Sequence, residues 1–171
     1  VAEVWLPNGE TMFIAGGDII DAFYSFAIEG MDQYFGLLPL PAGVLGVEEV
    51  DGVRVSADTL VTPCFCGLPM GFSWAIQLCQ NAVETVVGRA PRDVGFLREG
   101  QPPPELRDQP GGKKIAAGVY VDNVFSLAID EDAVNRHHKY VCREVDSAGL
   151  GFHETFIGTT EARLLGNDIS S

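Results

Sequence analysis

Basic residues are scarce in this chain. Lys and Arg total 11 against 24 Asp and Glu, a formal net charge of −13, and Arg54 is the only Lys or Arg before Arg89. A protein that grips nucleic acid unaided normally presents a basic face. Attraction for phosphate must therefore come from bound cations or from protein outside these 171 residues. Also missing is an apolar run of the roughly 18–20 residues that a membrane helix needs, so no membrane partner is expected. The opening Val1-Ala2-Glu3-Val4 has no initiator Met, basic n-region or cleavage pattern, which argues against a signal peptide. Both ends read as cuts through a longer protein. Cysteine is sparse: Cys64, Cys66, Cys79 and Cys142 form no Cys-x-x-Cys, and Cys64-x-Cys66 is too close for the usual zinc spacing. An intracellular compartment, cytoplasmic or nuclear, is the expectation. The tandem His137-His138 near Cys142 falls on a helix face, where a solvated or half-buried structural role outweighs metal binding.

What is present is a globular composition, 46% hydrophobic and 20% charged, long enough for one domain with a real core over 1–171. Thr11 to Ala15 is strand-prone and runs into Gly16-Gly17-Asp18. Val47–Val50 and Val53–Ser56 flank Asp51-Gly52, a strong hairpin signal. Ser73 to Val87 reads as a helix, with Ser73 as N-cap, Gly88 as stop, and Ile76, Cys79, Val83 and Val86 or Val87 as its apolar stripe. Residues 88–112, with Pro102-Pro103-Pro104, read as a loop-like insertion. Two strands, Ile115–Val121 and Val124–Ile129, follow with only Asp122-Asn123 between them. Asp130-Glu131-Asp132 opens a helix to about Ala148, and short strands over Phe152–Ile157 and Ala162–Ile169 finish the chain. This order implies an α+β fold: a ferredoxin-like split βαβ, with an antiparallel sheet and helices on one face.

Two carboxylates stand out. Asp18 ends an apolar strand; taken alone, it is equally well an N-cap for a helix beginning at Ile19. Asp122 sits at the tip of an apolar hairpin, and turn geometry alone explains Asp122-Asn123. In the split βαβ topology these two positions are neighbours. Hard oxygen ligands with little imidazole or thiolate nearby suit Mg²⁺, with Mn²⁺ as a substitute. A two-metal site would support phosphoryl transfer.

The surrounding residues carry a family resemblance. Asp18-Ile19-Ile20-Asp21-Ala22-Phe23-Tyr24 resembles the first palm motif of reverse transcriptases, and Gly67-Leu68-Pro69-Met70-Gly71 resembles their Leu-Pro-x-Gly motif. Tyr120-Val121-Asp122-Asn123 is similar to the Tyr-x-Asp-Asp hairpin, Ala148-Gly149-Leu150 to the fourth motif, and Leu164 to Ser170 to the primer-grip hairpin. Order and spacing look most like gypsy-type long-terminal-repeat retrotransposons, over about Met12 to Ser170. The resemblance implies the palm domain of an RNA-directed DNA polymerase, a fragment of a retroelement polyprotein. It makes Asp18 and Asp122 metal ligands and puts Asn123 beside them in the catalytic motif. Asp21 and Ala22 would meet the triphosphate. Phe23 would exclude a ribose 2′-hydroxyl, and Met70 and Gly71 would line the nucleotide site. The implied partners are an RNA or DNA template with primer, deoxynucleoside triphosphates, and the parent's fingers, thumb and RNase H regions, within the cell or a retroelement particle.

The chain departs from the pattern in places. Asn123 stands where the family usually has a second Asp; it keeps an oxygen acceptor and loses a charge. Gly151-Phe152-His153-Glu154 lacks the Lys usual near the pyrophosphate. Met70 replaces a polar residue, and Phe23 is also explained as a core aromatic. A non-catalytic palm remnant of a degenerate retroelement is therefore the alternative function. A ferredoxin-like RNA-binding module is disfavoured, because Ala116 to Tyr120 lacks the aromatic and basic pattern such modules use.

Overall fold

Phe13–Ile19 forms strand β1. Ile14 and Ala15 point to opposite faces and are both fully buried, so this part of β1 is covered on both sides, as the apolar run before Asp18 requires. The computed structural model describes residues 9–89, 94–106 and 114–170. After β1 come α1 (Ala22–Ser25), β2 (Leu40–Pro41), α2 (Ala42–Leu45), β3 (Glu49–Val50), β4 (Val53–Arg54) and β5 (Leu60–Val61). Then follow α3 (Ala75–Val87), β6 (Val94–Phe96), β7 (Ile115–Tyr120), β8 (Asn123–Ala128), α4 (Glu131–Ser147), β9 (Phe152–Thr159), β10 (Glu161–Leu164) and β11 (Asn167–Ser170). The architecture is α+β. A five-stranded sheet in the order β6-β7-β8-β1-β9 is accompanied, among the described residues, by four α-helices.

The sheet is mixed rather than antiparallel. β7–β8, β8–β1 and β1–β9 are antiparallel, but β6 runs parallel to β7. Val94-Gly95-Phe96 lies inside the stretch expected to be a loop. Its apolar residues pair with Ile115 to Ala117 at the sheet edge, and the chain from 97 to 114 is long enough for the crossover a parallel pair needs. Leu106, within that stretch, is also buried. Residues 90–93 and 107–112 of the insertion lie outside the described residues.

Each face of the sheet has its own core. Ala15, Ala117 and Ala128 pack with Ala133 and Val134 of α4, and α3 lies against α4 and β7. On the other face, Ile14, Ala116 and Leu127 pack with Leu106 and with Leu164 of the β10–β11 hairpin. Leu165 and Gly166 both take positive φ in that hairpin, as Asp51 and Gly52 do between β3 and β4, the two-residue turn that matches strand twist.

The caps differ in quality. Asp130 accepts from the amides of Asp132 and Ala133 and starts α4. Helix α3 starts later than Ser73: Trp74 is its N-cap and makes no side-chain cap bond. Its buried stripe is Ala75, Cys79, Val83, Val86 and Val87, whereas Ile76 is exposed. A 3.6-residue repeat counted back from Val83 and Cys79 reaches Ala75 as readily as Ile76.

The chain divides into two compact units, Val1–Ala22 with Ser73–Ser171, and Phe23–Phe72. The first holds the sheet, α3 and α4. The second is built from the β2–β5 pair, the β3–β4 hairpin and short helices around buried Met31, Ala42 and Leu68. Edge-on ring pairs, Phe35 with Phe72 and Tyr24 with Phe65, add to it.

Candidate functional site

Asp18 is the penultimate residue of β1 and so belongs to the ladder; the N-cap reading is excluded. It lies directly opposite Asn123 of β8 on one side and Glu154 of β9 on the other, and Tyr120 of β7 lies opposite Asn123. Directly opposed side chains share a face. Tyr120, Asn123, Asp18 and Glu154 therefore form one row across four strands, on the face of Ile14 and Leu127, away from α4. Asp122 stands in the turn at the same end. Its carbonyl accepts from the Ile19 amide at 2.9 Å, which fastens the end of β1 to the turn. Its Oδ1 accepts from Asn123 Nδ2 at 2.9 Å.

Electrostatics record this convergence. Partial burial pushes the Asp18 carboxyl above its ordinary range, and the charges of Asp122 and Glu154 push it further, with His153 opposing. Asp122 is also felt beneath the surface. Buried Cys79 on α3 is raised to about 11, by desolvation first and by Asp122 second, so this thiol stays protonated and inert.

The turn is not the expected Asp122-Asn123. Asn123 opens β8, and the turn residues are Val121 and Asp122. Val121 has φ 59, a left-handed conformation that is costly for a β-branched residue. Only the first of the two turn residues has positive φ, the pattern in which that position is normally Gly. Gln80 of α3 holds the turn in place. Its Oε1 accepts from the Val121 amide at 2.6 Å, and its Nε2 donates to the Val119 carbonyl at 2.9 Å and to Glu84 Oε1 at 2.7 Å. Neither Gln80 nor Glu154 stood out in the sequence. Gln80 lies 41 positions from Val121, and Glu154 becomes opposite Asp18 only through the β1–β9 register.

The remaining candidate residues divide between the two units. Asp21, with φ 46, precedes buried Ala22 at the start of α1, both in the unit of Asp18. Phe23, Met70 and Gly71 belong to the second unit. There the Phe23 carbonyl accepts from the Leu68 amide at 3.0 Å, and exposed Met70 Sδ accepts from Tyr24 Oη at 3.3 Å. Gly71 has φ 91 and open space where a Cβ would stand, so backbone conformation rather than crowding accounts for glycine there.

For a metal, the site offers the Asp18 and Asp122 carboxylates, with the Asn123 amide attached to the second. Among the described residues no group of three or more His, Cys, Asp or Glu is arranged to hold an ion. An all-oxygen pair fits Mg²⁺, which keeps waters and takes substrate phosphates as further ligands. His137 and His138 are both buried rather than solvated or half-buried. His137 Nδ1 lies 2.8 Å from Ser126 Oγ, and His138 packs near the Phe152 ring while burial lowers its pKa.

No protein-family model matches the chain, and no curated protein matches it.

Proposed function

We propose that the chain is the palm of an RNA-directed DNA polymerase, a ferredoxin-like split βαβ domain of a retroelement reverse transcriptase that adds deoxynucleotides to a primer 3′-hydroxyl. The observation that carries this reading is the meeting of Asp18, at the end of β1, with Asp122, in the turn that leads into β8, where a divalent cation would relieve the repulsion that Asp122 and Glu154 exert on Asp18. Asp18 and Asp122 would hold Mg²⁺, which on binding activates the attacking hydroxyl and stabilises the leaving pyrophosphate. Asn123 donates to Asp122 and so fixes the orientation of that carboxylate. The Ile19–Asp122 backbone bond and the Gln80 clamp keep the two carboxylates from separating, and positioning of this kind is the main protein contribution to phosphoryl transfer. Roles for Asp21, Ala22, Phe23, Met70 and Gly71 toward the nucleotide rest on the resemblance of their motifs.

The second reading, a palm remnant that folds without catalysing, is favoured by Asn123, by the absence of Lys between Gly151 and Glu154, and by the net charge of −13. Mg²⁺-dependent primer extension by the parent protein, on RNA and DNA templates, decides between them. Extension abolished by Asp18→Asn supports the polymerase; no extension by a folded parent supports the remnant.

A further inference from the structure

At the other end of β7 from Asp122, the first unit carries a cavity of about 340 Å³. Six strand residues separate its floor from the turn, about 20 Å, so it is distinct from the acidic row and does not depend on the polymerase reading. Although the chain has only 11 Lys and Arg, three of them line this cavity: Lys114, Arg136 and Arg143. No carboxylate is among its described lining residues. Arg136 and Arg143 form no ion pair with a described residue, whereas Arg89 and Arg98 are taken up by Glu144 and Glu84.

The cavity is also built to take a flat apolar group. Arg136, Tyr140 and Arg143 recur at helical spacing along α4, so the three line the cavity from one face of that helix. The Tyr140 ring is held by the bond from its hydroxyl to the Arg89 carbonyl at 2.7 Å. It stacks with His137, ring centres 6.4 Å apart and planes 30° apart, and His137 is in turn held by Ser126. Val94 and Ile115, the paired first residues of β6 and β7, form an apolar floor. Fixed rings, an apolar floor and converging cations answer two parts of one ligand.

We propose that this cavity binds a phosphate carried on a planar aromatic group, the chemistry of a nucleoside monophosphate. The guanidinium groups of Arg136 and Arg143 take the phosphate by charged, forked hydrogen bonds, and the base lies against Tyr140 and the Val94–Ile115 floor. The volume is at the lower end of small-ligand pockets, enough for a mononucleotide.

Calorimetric titration of the chain with adenosine monophosphate, inorganic phosphate and adenosine tests this, with heteronuclear NMR to locate the perturbed residues. Saturable binding is expected for the monophosphate, weaker binding for phosphate, and none for adenosine. Arg136→Gln with Arg143→Gln should weaken the monophosphate about tenfold or more, the loss of at least one charged hydrogen bond. Lys139→Gln removes a charge from the same helix outside the cavity and should leave binding within about twofold. Melting curves of both variants, whose altered side chains are exposed, establish that each is folded. Absence of saturable binding overturns the proposal, as do equal binding of adenosine and an unchanged affinity in the folded double variant.

Discussion

Replacing Asp18 by Asn should make the protein more stable. Asp18 faces Glu154 across the β1–β9 pair and stands in the field of Asp122, and its carboxylate accepts no hydrogen bond from a described residue. Asn keeps the shape and removes the repulsion. Like charges directly opposed in a sheet cost a few tenths to about 1 kcal/mol, and the exposure of Asp18 keeps the gain toward the lower half of that range. For a chain of this size the midpoint of melting should rise by about 1–3 °C at neutral pH and low salt. The sign of the pH dependence follows from linkage. The folded-state pKa of Asp18 is raised above 3.8, so the native state binds more protons than the unfolded state between the two values. Stability therefore falls as pH rises through that window, and the penalty is fully present above the raised pKa. The Asn variant lacks the penalty, so its advantage should be complete at neutral pH and vanish below 3.8. Added Mg²⁺ should reverse the ranking. At ten times its Kd a bound ion adds about 1.4 kcal/mol to the parent sequence, and little of this should remain without Asp18. Scanning calorimetry across pH, with and without Mg²⁺, reads all three effects. An Asn variant that melts lower at neutral pH, or whose advantage persists in acid, would refute the placement of Asp18 among like charges.

Gln80→Ala should cost about 1–3 kcal/mol in urea denaturation, because it leaves the Val121 amide unpartnered; an unchanged midpoint would mean that the clamp is dispensable. At Val121 the usual order of small residues should invert: Val121→Gly should be at least as stable as Val121→Ala, since Gly relieves a left-handed strain of about 1–3 kcal/mol that Ala retains. A Gly variant less stable by the ordinary helix- and strand-type margin of about 1 kcal/mol would remove the strain. Asp130→Ala should cost about 1 kcal/mol through loss of the α4 cap, read from thermal melts, and should leave Mg²⁺ stabilisation untouched.

Local signals carried far in this chain. The apolar run before Asp18, the Asp51-Gly52 turn and the acidic start of α4 each announce a local element that forms, although the hairpin strands shrink from Val47–Val50 and Val53–Ser56 to Glu49–Val50 and Val53–Arg54. What failed depended on distant partners. The three-residue strand Val94–Phe96 is too short to show a period and exists only because Ile115 to Ala117 offer an edge. The burial of His137 and His138 follows from Ser126 and Phe152, which arrive from other strands. The α3 repeat admits either Ala75 or Ile76 to the apolar stripe, and it is Ala75 that is buried. At the acidic row, the convergence of Asp18 and Asp122 was legible once topology was assumed. The Glu154 pairing needs the exact β1–β9 register, which contains irregularities between Ile14 and Gly16 and between Asp18 and Ile19.

The unfavourable features of the first unit are not spread evenly. Val121 in a left-handed conformation stands in the β7–β8 turn, Asp18 stands between two like charges at the end of β1, and Asp21 at φ 46 follows two residues after that strand, whereas Leu165 at φ 50 lies apart in the β10–β11 hairpin. At the other end of β8 several choices agree with one another: small alanines beneath α4, a side-chain cap at Asp130, a buried Ser126 bonded to His137. Strained backbone and opposed like charges at one end of a sheet are features that a protein keeps at functional sites. Gln80 fits the same logic, since a buried-edge amide spanning Val119 and Val121 holds the strained turn against relaxation. The proposed site at Asp18 and Asp122 thus draws support from backbone geometry and opposed charge, and its residue roles and reaction come from the family resemblance.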